Sequence, residues 1–203
     1  MGRNASIIGI TGRIATGKNT VSKIIISEYG YHEIDVDKIG HAALSEKRDQ
    51  IVKIFGRKIL NDRNKIERFK LGKIVFNDKG KMEDLEAITH PFIKKEVKNK
   101  ILKNTFDKVI INSALLFKLN LEQFCKHIFV ITSSDTVIKT RLKLDRNLDD
   151  NLITNILKLQ KRIFFNKNTL NLKIINIINN GSYYYLKKKV NAKMKEVMGE
   201  RFE

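Results

Sequence analysis

The chain has 203 residues, enough for one sizeable hydrophobic core with a small inserted or lid region. Hydrophobic residues make up 42% of it, which excludes a disordered protein, and the single cysteine, Cys125, excludes an internal disulfide framework and suits a reducing compartment. No signal segment opens the sequence, and the apolar run at 6–11 is too short to span a bilayer, so we expect a cytoplasmic protein.

The formal net charge is +18, from 40 lysines and arginines against 22 aspartates and glutamates. Three interpretations are open: a basic surface that binds nucleic acid, a field that draws in an anionic small substrate, or a solvated surface of scattered lysines. The basic residues do not concentrate into one stripe, and no basic motif is interleaved with aromatic residues. We therefore expect no nucleic-acid partner and no membrane partner, and the oligomeric state stays open.

Short apolar runs rich in β-branched residues recur along the chain and predict strands. The first of them reads SIIGIT, and later ones read KVIINS and HIFVIT. We predict strands at 6–11, 31–36, 108–113, 127–132 and 172–178.

Segments with helical periodicity separate these runs. Val21, Ile24 and Ile25 share one helical face, and Gly30 follows at the position just beyond a helix end. Ser134 is the predicted N-cap of the helix after the fourth strand. We predict helices at 20–29, 38–55, 66–104, 135–144 and 149–165, with breaks near Gly56, Gly80 and Pro91, and a basic helix at the C-terminus.

Strands that alternate with helices predict an α/β fold in which helices cover both faces of a parallel sheet. In such a fold the functional site lies in the loops at the carboxyl ends of the strands. The loops after the first two predicted strands are therefore the first candidates for a site.

The loop after the first predicted strand nearly matches the phosphate-loop (P-loop) pattern G-x-x-x-x-G-K-[ST], between a strand and a helix. Gly12 and Gly17 permit backbone angles that side chains would block, so that amide N–H groups turn inward onto phosphate oxygens. The helix N-terminus adds partial positive charge, and Lys18 would reach the β- and γ-phosphates. The alternative is a plain glycine-containing turn. The predicted ATP-binding residues of this loop are Gly12, Arg13, Ile14, Ala15, Thr16, Gly17, Lys18, Asn19 and Thr20.

Asn19 departs from the pattern, which has a serine or threonine whose hydroxyl binds Mg²⁺. Two roles for Asn19 are open: its carbonyl oxygen is a direct Mg²⁺ ligand, or its amide orients a metal-bound water. Thr20 stands one residue too late for the usual role.

Two carboxylates follow at the end of the second predicted strand, in the sequence YHEIDVD. On an extended chain Asp35 and Asp37 project to the same side, near the phosphate loop. We predict that Asp37 positions and deprotonates an attacking hydroxyl and that Asp35 holds metal-bound water and helps bind substrate. The alternative is that Asp37 caps the following helix while Asp35 pairs with a lysine.

With these features, nearly the whole chain resembles the dephospho-coenzyme A kinase family. The phosphate loop alone fits many families, but the Asp-x-Asp pair, the histidine–proline segment and the ALLFK segment are more specific in combination. The segments that carry the resemblance are IIGITGRIATGKNT, IDVD, ERFKLGKIVFND, LEAITHPFI, ALLFK, IFVITSSDTVIKTRL, Gln160 and INNGS.

The resemblance implies a P-loop kinase core that uses Mg²⁺ and ATP to phosphorylate the 3′-hydroxyl of the ribose of dephospho-coenzyme A. It implies a single kinase domain over 1–203, with the core at about 1–37 and 106–203, a helical substrate-binding region at about 38–105 and a lid at about 141–166. Asp37 then corresponds to the proposed base, and Arg141 belongs to the lid that closes over the phosphates.

Further residues receive roles from the same resemblance. Arg68 matches a substrate-region arginine, although a surface helix charge is the alternative, and His90 either contacts substrate or hydrogen-bonds locally. Pro91 suits the first turn of a helix. Asn179 and Gly181 stand where the family closes over the adenine, although Asn-Asn-Gly is also a common turn. Leu115 and Leu116 complete the predicted substrate-binding set.

The chain departs from the family pattern at several places. Asn112 stands where many members have aspartate, and Ala114 and Lys118 replace a proline and a glutamate. Asp145 occupies the position of the second lid arginine, and Arg146 follows it. We expect an active enzyme; the alternatives are another P-loop kinase for a nucleoside or nucleotide, a nucleic-acid-binding P-loop protein, or a nucleotide-binding protein without transfer activity.

Overall fold

A computed structural model describes residues 5–146, 150–161 and 173–199. In that part of the chain the five strands lie close to the predicted positions. They are β1 (Ser6–Gly12), β2 (His32–Asp35), β3 (Lys108–Asn112), β4 (His127–Thr132) and β5 (Lys173–Ile178).

Helices follow or separate these strands, as the periodicity predicted. Residues 162–165 of one predicted helix, the start of the last predicted strand at 172 and part of the predicted lid lie outside the described residues. The described helices are α1 (Lys18–Tyr29), α2 (Val36–Glu46), α3 (Arg48–Phe55), α4 (Arg68–Val75), α5 (Lys79–Leu102), α6 (Asp135–Arg146), α7 (Asp150–Lys161) and α8 (Tyr183–Gly199).

All strands pair in parallel, in the order β2-β3-β1-β4-β5, which confirms the predicted α/β fold. Ile10 of β1 pairs with Asn112 of β3, and Asp35 of β2 pairs with the same Asn112. The carboxyl ends of β1, β2 and β3 therefore stand level with one another. The phosphate loop and the Asp-x-Asp pair leave the sheet at the same edge.

Helices cover both faces of the sheet because its strands are apolar on both sides. On one face α1 and α8 pack together over β1, β4 and β5, with side chains such as Ile25 and Val190 fully buried. On the other face α2 and α5 pack over β2 and β3, with Ala43 and Val97 fully buried. The sheet is thereby fixed between two helical layers, and its loops remain at the rim.

Two smaller apolar clusters lie away from the sheet. One joins α3, α4 and the short 3₁₀ helix Arg57–Ile59, and its buried members are Ile51, Phe55, Ile59, Leu71 and Val75. The other joins α6 to α7, and its buried members are Ile138, Leu142, Ile153 and Leu157.

The helix break predicted near Pro91 is wrong. α5 runs unbroken for 24 residues, so Pro91 lies in a helix interior and not in a first turn. An interior proline removes one backbone hydrogen bond at a cost of about 3 kcal/mol, and burial of Ile93 and Val97 on the same helix offsets it. The break predicted near Gly80 is confirmed and lies at 76–78, between α4 and α5, where the Asp78 side chain caps α5. The break predicted at Gly56 is confirmed.

The remaining boundaries shift for local reasons. β2 ends at Asp35 and not at 36, because the Asp35 side chain accepts a hydrogen bond from the backbone N–H of Lys38 and starts α2. Ser134 caps α6 as predicted, since its Oγ accepts from the backbone N–H of Val137 at 3.3 Å. Among the described residues no helix has both the length and the apolar character needed to cross a membrane.

Candidate active site

The phosphate loop depends on two glycines, as the sequence predicted. Gly12 and Gly17 have φ angles of +155° and +94°, which residues with side chains rarely adopt. A methyl group on Gly12 would collide with the carbonyl oxygen of Ile131, and one on Gly17 would collide with the side-chain amide of Asn179. Both positions therefore require glycine for backbone angle and for space.

Lys18 begins α1 and folds back into the loop. Its side chain is buried, with a relative exposure of 8%, and its Nζ donates to the carbonyl oxygen of Arg13 at 3.1 Å. Thr16 Oγ1 donates to the same carbonyl at 2.8 Å. These bonds curl the loop around the ammonium group, which places a positive charge where phosphate oxygens would bind.

Asn179 and Arg141 connect the phosphate loop to the loop after β5. Asn179 is buried, and its Nδ2 donates to the carbonyl oxygen of Thr16 at 2.8 Å. Arg141 donates to the carbonyl oxygens of Ala15 and Asn179, at 3.0 and 3.1 Å, and to Ser133 Oγ at 3.3 Å. The guanidinium group thus joins the phosphate loop to the loop after β5.

Arg13 and Ile14 tie the loop to α6 and α7. Arg13 forms an ion pair with Asp135 at 2.7 Å. The backbone N–H of Ile14 donates to Gln160 Oε1 of α7 at 2.8 Å. From the sequence, Gln160 was noted only as part of the family resemblance. Helical periodicity does not reveal which polar side chain reaches another loop. The side chains of Asp145 and Arg146 lie outside the described part of the chain.

A polar chain that sequence reasoning missed runs beside the start of α1. Asn112 Nδ2 donates to Asn19 Oδ1 and to Glu33 Oε1, each at 2.9 Å. Ser22 Oγ also donates to Glu33 Oε1, at 2.6 Å. One signal for Glu33 was present, since it alternates with Asp35 on β2 and therefore shares a face with it.

The two aspartates after β2 do not lie on one extended segment, so that premise of the sequence prediction is wrong. Asp35 is the last residue of β2 and caps α2, while Asp37 is the second residue of that helix and is exposed. Asp35 also forms an ion pair with Lys38 at 3.5 Å. The cap is therefore Asp35 and not Asp37, which leaves Asp37 on the exposed surface beside the sheet edge.

Arg68 begins α4 and is exposed. Its guanidinium Nη1 lies 2.7 Å from Nε2 of His41, which α2 carries. The pair joins α2 to α4. Arg68 can recognise an anionic group from this position, so its substrate role stays a prediction.

His90 is half-buried on α5, next to Pro91. Burial lowers the pKa of its imidazole, Glu86 acts in the opposite direction, and Lys118 and Lys94 reinforce the lowering. Lys118 forms an ion pair with Glu86 at 2.5 Å. This pair connects the loop after β3 to α5 beside a cavity of about 520 Å³ that His90 helps to line.

Four further predicted positions are less central. Leu116 is fully buried in the core, so its predicted contact with substrate is corrected to a packing role, and Leu115 packs beside it half-buried. Thr20 lies half-buried in the first turn of α1, and Gly181 is exposed before α8. In the described part of the chain, neither Thr20 nor Gly181 forms a hydrogen bond that marks a ligand site.

These features match one known family. The family model described as dephospho-CoA kinase matches residues 6–182. The chain belongs to the dephospho-CoA kinase family. A Borreliella burgdorferi protein named dephospho-CoA kinase is 53% identical over 205 residues, an alignment that covers 100% of both chains.

Solved structures share the fold. A crystal structure from Thermus thermophilus superposes with a TM-score of 0.74 at 22% identity and covers 97% of each chain. A dephospho-CoA kinase from Campylobacter jejuni superposes with a TM-score of 0.58 at 24% identity, over 96% of this chain and 98% of that one. The dephospho-CoA kinase family thus accounts for both the sequence pattern and the architecture.

The donor atoms near the loop suit a metal ion that arrives with a nucleotide. Among the described residues no three or more histidine, cysteine or acidic side chains cluster as a metal site. Asn19 and Asp35 supply amide and carboxylate oxygens, which are ligands that Mg²⁺ accepts, and Mg²⁺ commonly uses few protein ligands beside phosphates and water. Asn19 Oδ1 already accepts from Asn112, and Asp35 Oδ1 already accepts from Lys38.

Proposed function

We propose that this protein transfers the γ-phosphate of ATP to the 3′-hydroxyl of dephospho-CoA, giving CoA and ADP. The observation that carries the proposal is the combination, at one sheet edge, of a phosphate loop that encloses Lys18 and an exposed carboxylate, Asp37. Membership of the dephospho-CoA kinase family supports the choice of acceptor.

The strand register supports a close approach of the two groups. Asp35 pairs with Asn112, and Asn112 pairs with Ile10. Two strand spacings separate Asp35 from Ile10, which is about 10 Å. The phosphate loop leaves β1 two residues after Ile10, and Asp37 follows Asp35 by two residues. An acceptor hydroxyl beside Asp37 would therefore face the phosphate end of a nucleotide held by the loop.

The proposed chemistry assigns one role to each group. The acceptor oxygen attacks the γ-phosphorus, the bond from that phosphorus to the β–γ bridging oxygen breaks, and ADP leaves. The hydroxyl proton passes to the Asp37 carboxylate. Lys18 binds phosphate oxygens and stabilises the charge that develops on them. Arg141 holds the two nucleotide-binding loops together and, with Asn179, borders the proposed base site.

Mg²⁺ bound with ATP would supply further positive charge at the β- and γ-phosphates. Asn19 and Asp35 are the residues that would hold it through bound water. We also propose the division into a core, a helical acceptor region at about 38–105 with Arg68 and His90, and a lid at about 141–166. A cytoplasmic location belongs to the same proposal.

The test follows CoA formation by mass spectrometry with Mg²⁺, ATP and dephospho-CoA, beside a panel of nucleosides and nucleotides. Asp37→Asn should lower kcat by roughly 10²- to 10⁴-fold, because the proton acceptor is lost. Asp35→Asn tests the neighbouring aspartate. Asparagine also caps helices well, so this variant should keep the fold. Asp49→Asn, exposed at the start of α3, is the control and should match wild type.

Full activity of Asp37→Asn would show that Asp37 is not the base, and the assignment as a dephospho-CoA kinase would stand. If neither the wild type nor the control forms CoA, the proposal that dephospho-CoA is the acceptor is overturned. Transfer to a nucleoside instead would move the protein to another P-loop kinase activity, and ATP binding without any transfer would leave a nucleotide-binding protein.

A further inference from the structure

The polar chain from Glu33 through Asn112 to Asn19 has a fixed direction, which follows from the chemistry of its first member. A carboxylate only accepts hydrogen bonds, so Glu33 Oε1 requires the NH₂ end of the Asn112 amide. That NH₂ group donates its two protons to Glu33 and to Asn19, each at 2.9 Å. Asn19 must then present its oxygen to Asn112.

Burial makes this direction matter. Asn112 is 3% exposed and Ser22 is 1% exposed, so the inner part of the chain exchanges few hydrogen bonds with water. Ser22 Oγ, which can act as donor or acceptor, donates to Glu33 at 2.6 Å. Reversing the Asn112 amide would bring its oxygen against the carboxylate, at the cost of a buried unpaired acceptor.

Asn19 lies at the outer end of the chain, in the first turn of α1 next to Lys18, and it is exposed. Because its oxygen faces Asn112, the exposed end of its amide is the NH₂ group. An NH₂ group donates to phosphate oxygens or to a water molecule and does not bind a metal cation. Of the two roles that the sequence left open for Asn19, the direction of this chain favours orientation of a water over direct binding of Mg²⁺. That direction is set by Glu33, on β2.

We propose that Glu33 is a positioning residue that, through Asn112, turns the Asn19 amide so that it donates hydrogen bonds to the bound nucleotide or its water, not a direct Mg²⁺ ligand. This inference rests on the proposed nucleotide site. It assigns a role to Glu33 that acts through Asn112 and the Asn19 amide.

The experiment measures the affinity for a fluorescent ADP analogue without acceptor, once with Mg²⁺ and once with EDTA, and takes the ratio of the two Kd values. Asn19→Ala should weaken binding in both conditions by a similar factor, so the ratio should stay within about twofold of wild type. If Asn19 were a metal ligand, its loss should lower the Mg²⁺ advantage by about tenfold. A lowered ratio would overturn the proposal.

A paired variant reverses the chain while it keeps the charge and the number of hydrogen bonds. In Glu33→Gln/Asn112→Asp, the carboxylate at 112 accepts from the new amide at 33 and from the NH₂ of Asn19. The Asn19 oxygen then becomes the exposed end and gains access to Mg²⁺. We expect the Mg²⁺ advantage in ADP affinity to rise about tenfold.

The same pair of changes in an Asn19→Ala background is the control, and there the ratio should not rise. A rise in both backgrounds would show a through-space effect of the moved charge and would overturn the proposal, as would no rise in a folded paired variant. If wild type binds no ADP, the nucleotide site and this inference fail together. If the wild type forms CoA but Asn19→Ala lowers the Mg²⁺ advantage in ADP affinity, this inference fails and the proposed function stands.

Discussion

The two halves of the site differ in how firmly the fold holds them. On the nucleotide side, Lys18, Asn112 and Asn179 are buried, and each has hydrogen-bond partners on another loop or strand or within the phosphate loop. On the proposed acceptor side, Asp37 and Arg68 are exposed on separate helices. Preorganised charges raise reaction rates most where charge develops, so the rigid half suits phosphoryl transfer.

The exposed half suits substrate capture. α4 belongs to a region with its own apolar cluster, apart from the sheet, while α2 packs over the sheet and carries Asp37 at an exposed position. Exposed side chains can gain their final positions when a ligand bridges them, and closure then excludes water. Substitutions on the nucleotide side should therefore affect the chemical step and nucleotide affinity. On the exposed side, loss of a binding contact such as that of Arg68 should affect KM, while loss of the proposed base, Asp37, should affect kcat.

The largest effect is expected at the centre of the rigid half. Lys18→Ala should lower kcat/KM for CoA formation by roughly 10³-fold, because the buried ammonium that faces the phosphates is lost. Lys23→Ala, which removes an exposed lysine from the same helix, is the matched control and should leave kcat/KM unchanged. A loss below tenfold for Lys18→Ala would mean that the loop does not hold the reacting phosphates.

A smaller effect is expected where two nucleotide loops meet. Arg141→Met removes hydrogen bonds to Ala15, Ser133 and Asn179 and should weaken ADP binding by roughly 10- to 100-fold. Isothermal titration measures this directly, with Lys139→Met, an exposed change on the same helix, for comparison. Unchanged ADP affinity would show that Arg141 serves another step.

On the exposed half, Arg68→Met should raise KM for dephospho-CoA by roughly tenfold with kcat nearly unchanged, the pattern of a lost binding contact. Steady-state kinetics with ATP saturating separates the two constants. Arg63→Met, an exposed change outside the helices, provides the comparison. A fall in kcat with KM unchanged would place Arg68 in the chemical step and weaken the contrast between the two halves.

The smallest effect concerns pH. Burial lowers the pKa of His90 below its ordinary value of 6.5, with Lys118 and Lys94 lowering it further and Glu86 opposing them. The unfolded chain therefore binds the proton more readily, so this contribution to stability is present above pH 6.5 and is lost as the pH falls from there toward the folded-state pKa.

His90→Gln should consequently lose less thermal stability than wild type between pH 7 and 5, which thermal melts across this range would measure. Parallel melting curves for both proteins would show that the histidine stays equally protonated in the folded and unfolded chain. Activity measured at a single pH would not distinguish these cases, because it also reports on substrate contacts.

Sequence pattern predicted the sheet well because buried parallel strands and amphipathic helices leave strong local signals. It missed the course of α5 through Pro91, since proline ordinarily interrupts helices. Here the apolar face with Ile93 and Val97 is buried against the sheet, and a cap at Asp78 starts the helix. Only packing energies, which the local sequence does not contain, decide such a case.

For the site, the sequence by itself determined the phosphate loop, because Gly12, Gly17 and Lys18 act within nine consecutive residues whose spacing sets their geometry. The tertiary structure decided which aspartate caps α2 and joined Glu33 to Asn19 through Asn112. The helix cap is a local contact, but the contacts of Asn112 join residues far apart in the chain. The order and register of parallel strands bring them together, and no local pattern of residues specifies that register.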